Sequence, residues 1–228
     1  MSIPGTVVRL STYTLGDEIE TCKARMKKYT QVKSDIPLQS WIEFFNKYQT
    51  LIYRLSGLKD IDNYLCDINF TITGSTQVTR IKLSNSSMYK FISKIHLIKD
   101  SLLGVIHELP LKTFEILCNS IYYNPRHRKT PIWARDGEYI NIGIGDLNAL
   151  GTVTVKIYRT PLDMVSLSDL IDLPNENVPE LEDFVLITAL QQLNEPVPAE
   201  LEKSEARLRE MEKKAIEFKQ EHIANELK

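Results

Sequence analysis

Leu15, Ile19, Cys22, Met26 and Tyr29 recur at steps of three and four, the spacing that stacks side chains on one face of an α-helix. A first helix is therefore expected from about residue 14 to 29. Ser34-Asp35-Ile36-Pro37 makes a stop and a fresh start. Leu38, Trp41, Ile42, Phe45, Tyr48, Leu51, Ile52 and Leu55 then form a wide apolar stripe, predicting a second helix that ends near Gly57. Two amphipathic helices joined by a short link are expected to pack together.

After Asp60 the period falls to two. NFTITG and QVTRIKLS alternate and are rich in β-branched residues, and MYKFISKIHLIK reads as a further strand. Residues 111 to 122 return to helical spacing, with Phe114, Leu117, Cys118 and Ile121 inward. TVTVKIYR is again a strand, with Val153, Val155 and Ile157 on one face, and Thr160-Pro161 closes the β region. Pro179-Glu180-Leu181-Glu182-Asp183 opens another helix whose acidic first turn suits the macrodipole. Leu181, Phe184, Val185, Ile187, Thr188 and Leu190 give it a broad apolar front. Beyond Glu195-Pro196-Val197-Pro198 the chain is highly charged and free of Gly and Pro, as a long helix requires. Leu208, Met211, Ala215 and Phe218 form a narrow seam on it, like that of a coiled coil, so it either docks back on the core or grips a neighbour. The second alternative predicts that residues 1–194 fold without it.

These elements predict an α+β fold: a helical core of three to four helices, a small inserted antiparallel β domain and a long C-terminal helix. The expected divisions are 1–60 and 166–195 for the helical core, 61–165 for the β domain and 196–228 for a docking helix.

The stretch IWARDGEYINIGIG, residues 132 to 145, pairs an acid with a base and carries Gly143-x-Gly145. Asp136-Gly137 is a strong two-residue hairpin signal, because a type I′ turn needs positive φ at both central positions. A turn there sets Arg135 opposite Glu138 and Trp133 opposite Ile140, which accounts for the charges without chemistry. A dinucleotide cradle is excluded, since position 148 is Asn and the glycines lead to another strand rather than into a helix.

Composition narrows the function classes. The 228-residue chain is 43% hydrophobic, enough for a sizeable core, and its net charge of −2 argues against a protein that lives as a whole on nucleic acid or anionic membrane. Cys22, Cys66 and Cys118 are odd in number and lack CxxC spacing, which suits buried thiols in a reducing compartment. The N-terminal residues carry no signal-peptide pattern and no segment has the length of a membrane span, so a soluble, intracellularly made protein is expected. His96, His107, His127 and His222 are scattered. His107-Glu108 lacks the second histidine of a zinc-protease helix and Pro110 interrupts it, so a loop histidine is expected. Asp60, Asp62 and Asp67 flank the change from helix to strand, where Asp serves turns. Asn69 and Asn85 match glycosylation acceptors, which matter only in a secreted protein. No catalytic residue, metal site or cofactor is expected. One dense charge cluster stands out: Arg126, His127, Arg128 and Lys129, either a solvated loop or a site facing a polyanion such as DNA, since such residues bind phosphate without reading sequence.

The order of parts, with a hairpin W-x-R-D-G-E-Y-I-N-I, a strand ending Y-R-T-P-L, a D-L-x-x-L-P-x-x-x-V-P stretch leading into a helix and a charged terminal helix, resembles the head–tail connector (adaptor, or neck ring) proteins of tailed bacteriophages. The short-tailed type, with a β domain among the helices, is the nearer pattern. The match covers nearly the whole chain and is best at residues 131–195. The resemblance implies a structural virion protein, made in the bacterial host cytoplasm, that forms a ring of about twelve copies between the portal protein and the tail. It implies docking of C-terminal residues, here Leu208, Met211, Ala215 and Phe218, on portal or neighbouring subunits. It also implies contacts with other neck or tail ring proteins, passage of DNA through the lumen without sequence specificity, and no membrane partner. The rival readings are another neck or tail-completion ring and, in a different class, a nucleic-acid-binding protein.

Overall fold

The computed structural model describes residues 2–4, 9–30, 36–58, 62–71, 78–101, 104–119, 131–143 and 152–226. It divides the chain into two units: Met1–Val7 with Asp62–Thr160, and Val8–Ile61 with Pro161–Lys228. The first unit is β-rich and the second is helical. The terminal segment expected to stand alone from residue 196 belongs to the helical unit.

In the helical unit α1 spans Leu15–Met26 and α2 spans Leu38–Leu55. Thr14 caps α1: its hydroxyl accepts from the Asp17 amide at 3.2 Å and donates to the Asp17 carboxylate at 2.7 Å, a reciprocal capping arrangement. Gly57, with φ of 72°, stops α2 in the left-handed conformation that only glycine enters without cost. Helix α4 (Val178–Gln192) lies at the centre of the unit, with Val178, Leu181, Phe184, Val185, Leu186, Ile187, Ala189 and Leu190 all buried. A helix apolar on nearly every side must be covered on every side. It contacts α1, α2 and α5, the last spanning Glu202–Glu226. Asn194, at φ of 56°, ends it.

The β unit corrects the expected small antiparallel insertion. It is an eight-stranded mixed sheet of order β1-β2-β8-β4-β5-β6-β7-β3, and it forms a large part of a chain that has five helices among the described residues. The strands are β1 (Ser2–Pro4), β2 (Leu65–Thr71), β3 (Val78–Lys82), β4 (Ile92–Asp100), β5 (Gly104–Glu108), β6 (Ile132–Asp136), β7 (Tyr139–Gly143) and β8 (Thr152–Arg159). Helix α3 (Leu111–Asn119) packs Phe114 against Ile132 and Ala134 of β6. Two strands escape the sequence pattern. Residues Ser2–Pro4 pair with β2 from far away in the chain, and β5, which carries the expected loop histidine His107, is short and joins two halves of the sheet. Gly104, Val105 and Ile106 pair antiparallel with Asp100, Lys99 and Ile98 of β4, while His107 and Glu108 pair parallel with Ile132 and Trp133. That parallel pair makes the sheet mixed.

The hairpin is present with a different register. Asp136 pairs with Tyr139, Arg135 with Ile140 and Trp133 with Ile142, so the two central residues are Gly137 and Glu138. Among them only Gly137 has positive φ, at 58°, which is the signature of a turn with Gly at its first central position rather than of the expected Asp-Gly turn. The neighbouring strand explains the shift. Arg80 of β3 holds Asp136 at 2.9 Å and Lys82 holds Glu138 at 3.3 Å, so the charges are satisfied across to β3. Arg135 instead donates to the Gly137 carbonyl at 3.2 Å. Replacing Gly137 with Val should destabilise the β unit by roughly 1–3 kcal/mol, because a β-branched residue resists this conformation. Arg135→Ala should cost about 0.5 kcal/mol or less, as exposed substitutions do. Thermal melts of both variants check the pair; equal stabilities would contradict the turn assignment.

Candidate docking surface

The apolar seam on α5 does two different things along its length. Leu208 and Met211 are buried, and α5 contacts both α2 and α4, so the first half of the seam is spent on the chain's own core. Ala215 is half-buried. Ile216 and Phe218 are 57% and 67% exposed, although an apolar side chain gains by leaving water. The four residues thus do not form one surface; the candidate surface is the part from Ala215 onward, with Ile216 added.

Polar contacts fix where the helix turns from packed to projecting. Ser204 donates to Asp183 at 2.7 Å, Gln191 to Glu205 at 3.2 Å, and Lys47 of α2 to Glu212 at 2.9 Å. Arg207 pairs with Glu180. Beyond Glu212, Lys213 and Glu217 pair at 3.9 Å within the helix itself. An open groove of about 250 Å³, lined by Leu55, Ser56, Arg207, Glu210, Met211 and Lys214, follows the junction of α2 and α5.

A second group of residues holds the segment that returns from the β unit. Asn46 on α2 donates to the Met164 carbonyl at 2.9 Å and accepts from the Met164 amide at 2.8 Å. Gln49 donates to the Leu162 carbonyl at 2.9 Å and accepts from the Asp172 amide at 3.3 Å. The Asp172 carboxylate accepts from the Leu162 amide at 2.8 Å. Asp169 accepts from the Val165 and Ser166 amides, and Arg9 donates to the Leu170 and Asp163 carbonyls. This clasp explains the D-L-x-x-L-P stretch structurally, because its carboxylates close the loop and its backbone is stitched to α2. Sequence reasoning missed Asn46, Gln49 and Arg9, since a buried Gln on an apolar helix face looks like an interruption of the stripe.

The third group is electrostatic. Glu18 of α1 is buried and shares a hydrogen bond with Glu182 of α4, while its Oε2 has no hydrogen-bond partner. Burial pushes the Glu18 carboxyl up to about 8, and the Glu182 hydrogen bond and negative charge add to it. Arg25 balances the cluster, 3.3 Å from Glu182 and 2.7 Å from Asp183. Cys22 lies beside it, its Sγ 3.9 Å from the Glu182 carbonyl, and burial raises its thiol far above the ordinary range. A protonated acid facing a carboxylate can hold a proton between two helices, and the Arg25 guanidinium supplies positive charge beside them. Among the described residues no group of His, Cys, Asp or Glu has metal-binding geometry.

The other sequence candidates scatter. Arg126, His127, Arg128 and Lys129 lie outside the described residues, as does Asp60. His96 is exposed on β4, where its ring meets that of Tyr158 edge-on at 5.3 Å. Asp67 sits on β2 with Lys156 of β8 at 3.9 Å, and Asp62 is exposed in a helical turn before it, so the two are separate. Asp136 is the last residue of β6 and is bound to Arg80 of β3, and Gly137 is the first central residue of the turn. No helix among the described residues is long and apolar enough to cross a membrane. No protein-family model matches the chain, and no curated protein matches it.

Proposed function

We propose that this chain is a structural subunit of the neck of a tailed bacteriophage, assembling as a ring between the portal protein and the tail with DNA passing through its lumen. The observation that carries the reading is the division of α5: its first half is anchored in the helical unit by Leu208 and Met211, and its second half presents Ile216 and Phe218 to solvent. A side chain such as Phe218 at 67% exposure is the kind of anchor that a partner's pocket completes, because aromatic residues dominate interface energetics. The helical unit is a rigid base for such an arm, since α4 is buried on nearly all sides and the returning segment is clasped to α2. The hairpin, the Y-R-T-P-L strand end and the D-L-x-x-L-P-x-x-x-V-P segment support the family resemblance, and the last of these closes the clasp on α2. Ring subunits make heterologous contacts that close on rotation, which requires surfaces and arms rather than a cleft.

The chain alone is expected to be a monomer or small oligomer, forming a ring of about twelve copies only on a portal. Cryo-electron microscopy of the purified protein mixed with its portal ring tests this. Closed rings without portal would refute templating, and a chain that joins no portal would refute the connector reading.

A further inference from the structure

The sheet centred on β4 and β8 has a second, exposed face. Cross-strand pairing assigns its residues. Ile68, Val155, Ile98 and Ile106 are in register and buried, marking the inner face. The opposite parity puts Lys94 opposite Tyr158, Lys156 between Leu97 and Asp67, and Lys99 beside both Thr154 and Val105. Two register irregularities in β4, between Ile92 and Lys94 and between Ile95 and Leu97, leave an extra residue each time. The second of these is His96, whose ring meets Tyr158. Bulges of this kind re-aim side chains and recur near binding sites.

Charge on this face opposes that of the chain. Lys94, Lys99 and Lys156 stand on adjacent strands, His96 joins them, and the facing acid is Asp67, 3.9 Å from Lys156. Asp100 falls on the buried parity and Glu108 follows His107 at the far end of β5. Asn69, Thr71, Thr152 and Thr154 on the same parity are neutral hydrogen-bonding groups, and Thr154 donates to Asn69 at 2.7 Å, while Leu97 and the exposed Val105 are its apolar members. A chain of net charge −2 therefore gathers a cationic, hydroxyl- and amide-rich strip on one sheet face. Lys94 and Lys99 lie about 15 Å apart along the strand, the rise of some four to five phosphates on one DNA strand. Tyr158 is only 9% exposed, which leaves its ring little surface for stacking an unpaired base.

We propose that this strip is a contact for the phosphate backbone of duplex DNA, sequence-independent and screened by salt. The proposal rests on the ring reading for its setting, naming the surface that DNA meets, but the binding is a property of the single chain. A few lysines per copy give weak contacts that let a duplex slide, and repetition around a ring sums them.

The test is fluorescence anisotropy of a labelled 30-base-pair duplex with the full chain, begun at roughly 20 mM salt and followed as salt rises. The full chain should bind with a log–log salt slope of about −3, from three lysines at about −0.9 each. The triple variant Lys94→Gln, Lys99→Gln, Lys156→Gln should weaken binding at least tenfold at an unchanged melting temperature. If the triple variant does not fold, Lys94→Gln and Lys99→Gln singly should each reduce the slope by about one. Arg126→Gln with Arg128→Gln is the rival variant, removing the basic loop that the sequence offers as an alternative phosphate contact. Absence of binding by the full chain overturns the proposal. So does a triple variant that binds like wild type, loss confined to the Arg126 and Arg128 variant, or equal binding of polyglutamate, which would mark a surface for acidic protein. Binding as expected by a chain that never joins a portal would leave the strip standing and remove the ring reading.

Discussion

Raising the pH from 5 to 8 should destabilise the helical unit by roughly 3–4 kcal/mol in wild type relative to Glu18→Gln, whose stability should change little over that interval. The folded-state pKa of Glu18 is raised to about 8 from an ordinary value of 4.5, first by burial and then by Glu182. The folded chain therefore binds this proton more tightly than the unfolded chain. The resulting stabilisation is complete below about pH 4.5 and is lost as pH rises through about 8, above which both states are ionised. Above that point the Glu18 and Glu182 carboxylates face each other, with Arg25 bound to Glu182 and Asp183 as the balancing cation. Gln keeps the shape and a hydrogen-bond donor for Glu182 but carries no ionisable group. Denaturant melts of both proteins at several pH values supply the comparison; parallel curves would show that Glu18 does not hold its proton in the folded state.

The helices were legible because their apolar spacing is local. Leu15, Ile19 and Cys22 are buried as a stripe should be, and so are Trp41, Phe45 and Tyr48. The sheet was legible strand by strand but not as a whole. Ser2–Pro4 is too short for a pattern and pairs with β2 across more than sixty positions, and β5 divides its five residues between an antiparallel and a parallel neighbour. The hairpin shows the same limit at finer scale. Asp-Gly is the stronger local turn signal, yet Arg80 and Lys82 on β3 capture Asp136 and Glu138 and favour Gly-Glu at the centre. No window around residue 136 contains β3. Asn46, Gln49 and Asp172 were illegible for a related reason: a buried polar residue is informative only once its partner is known, and these partners lie more than a hundred positions away from α2.

Truncation after Asn194 should abolish the cooperative melt of the helical unit, against the sequence-based expectation that residues 1–194 fold alone. The cut removes Leu201, Leu208 and Met211, which are 2%, 3% and 6% exposed. Burying each is worth roughly 1.5–3 kcal/mol, so their joint loss is about 4.5–9 kcal/mol, comparable with the whole stability of a typical domain. It also uncovers apolar surface of α4 and strips Asp183 and Glu180 of Ser204 and Arg207. Truncation after Glu212 is the informative contrast. It keeps the three buried residues and the Lys47–Glu212 pair, and removes Ala215, Ile216 and Phe218. That shorter chain should melt within a few degrees of wild type, as loss of exposed side chains allows, yet fail to attach to the portal. Calorimetry and co-sedimentation with portal rings separate the two roles. A 1–194 chain that melts like wild type would show that α5 is not part of the core. A 1–212 chain that still attaches would move the docking surface away from Ile216 and Phe218, with the groove between α2 and α5 as the next place to look.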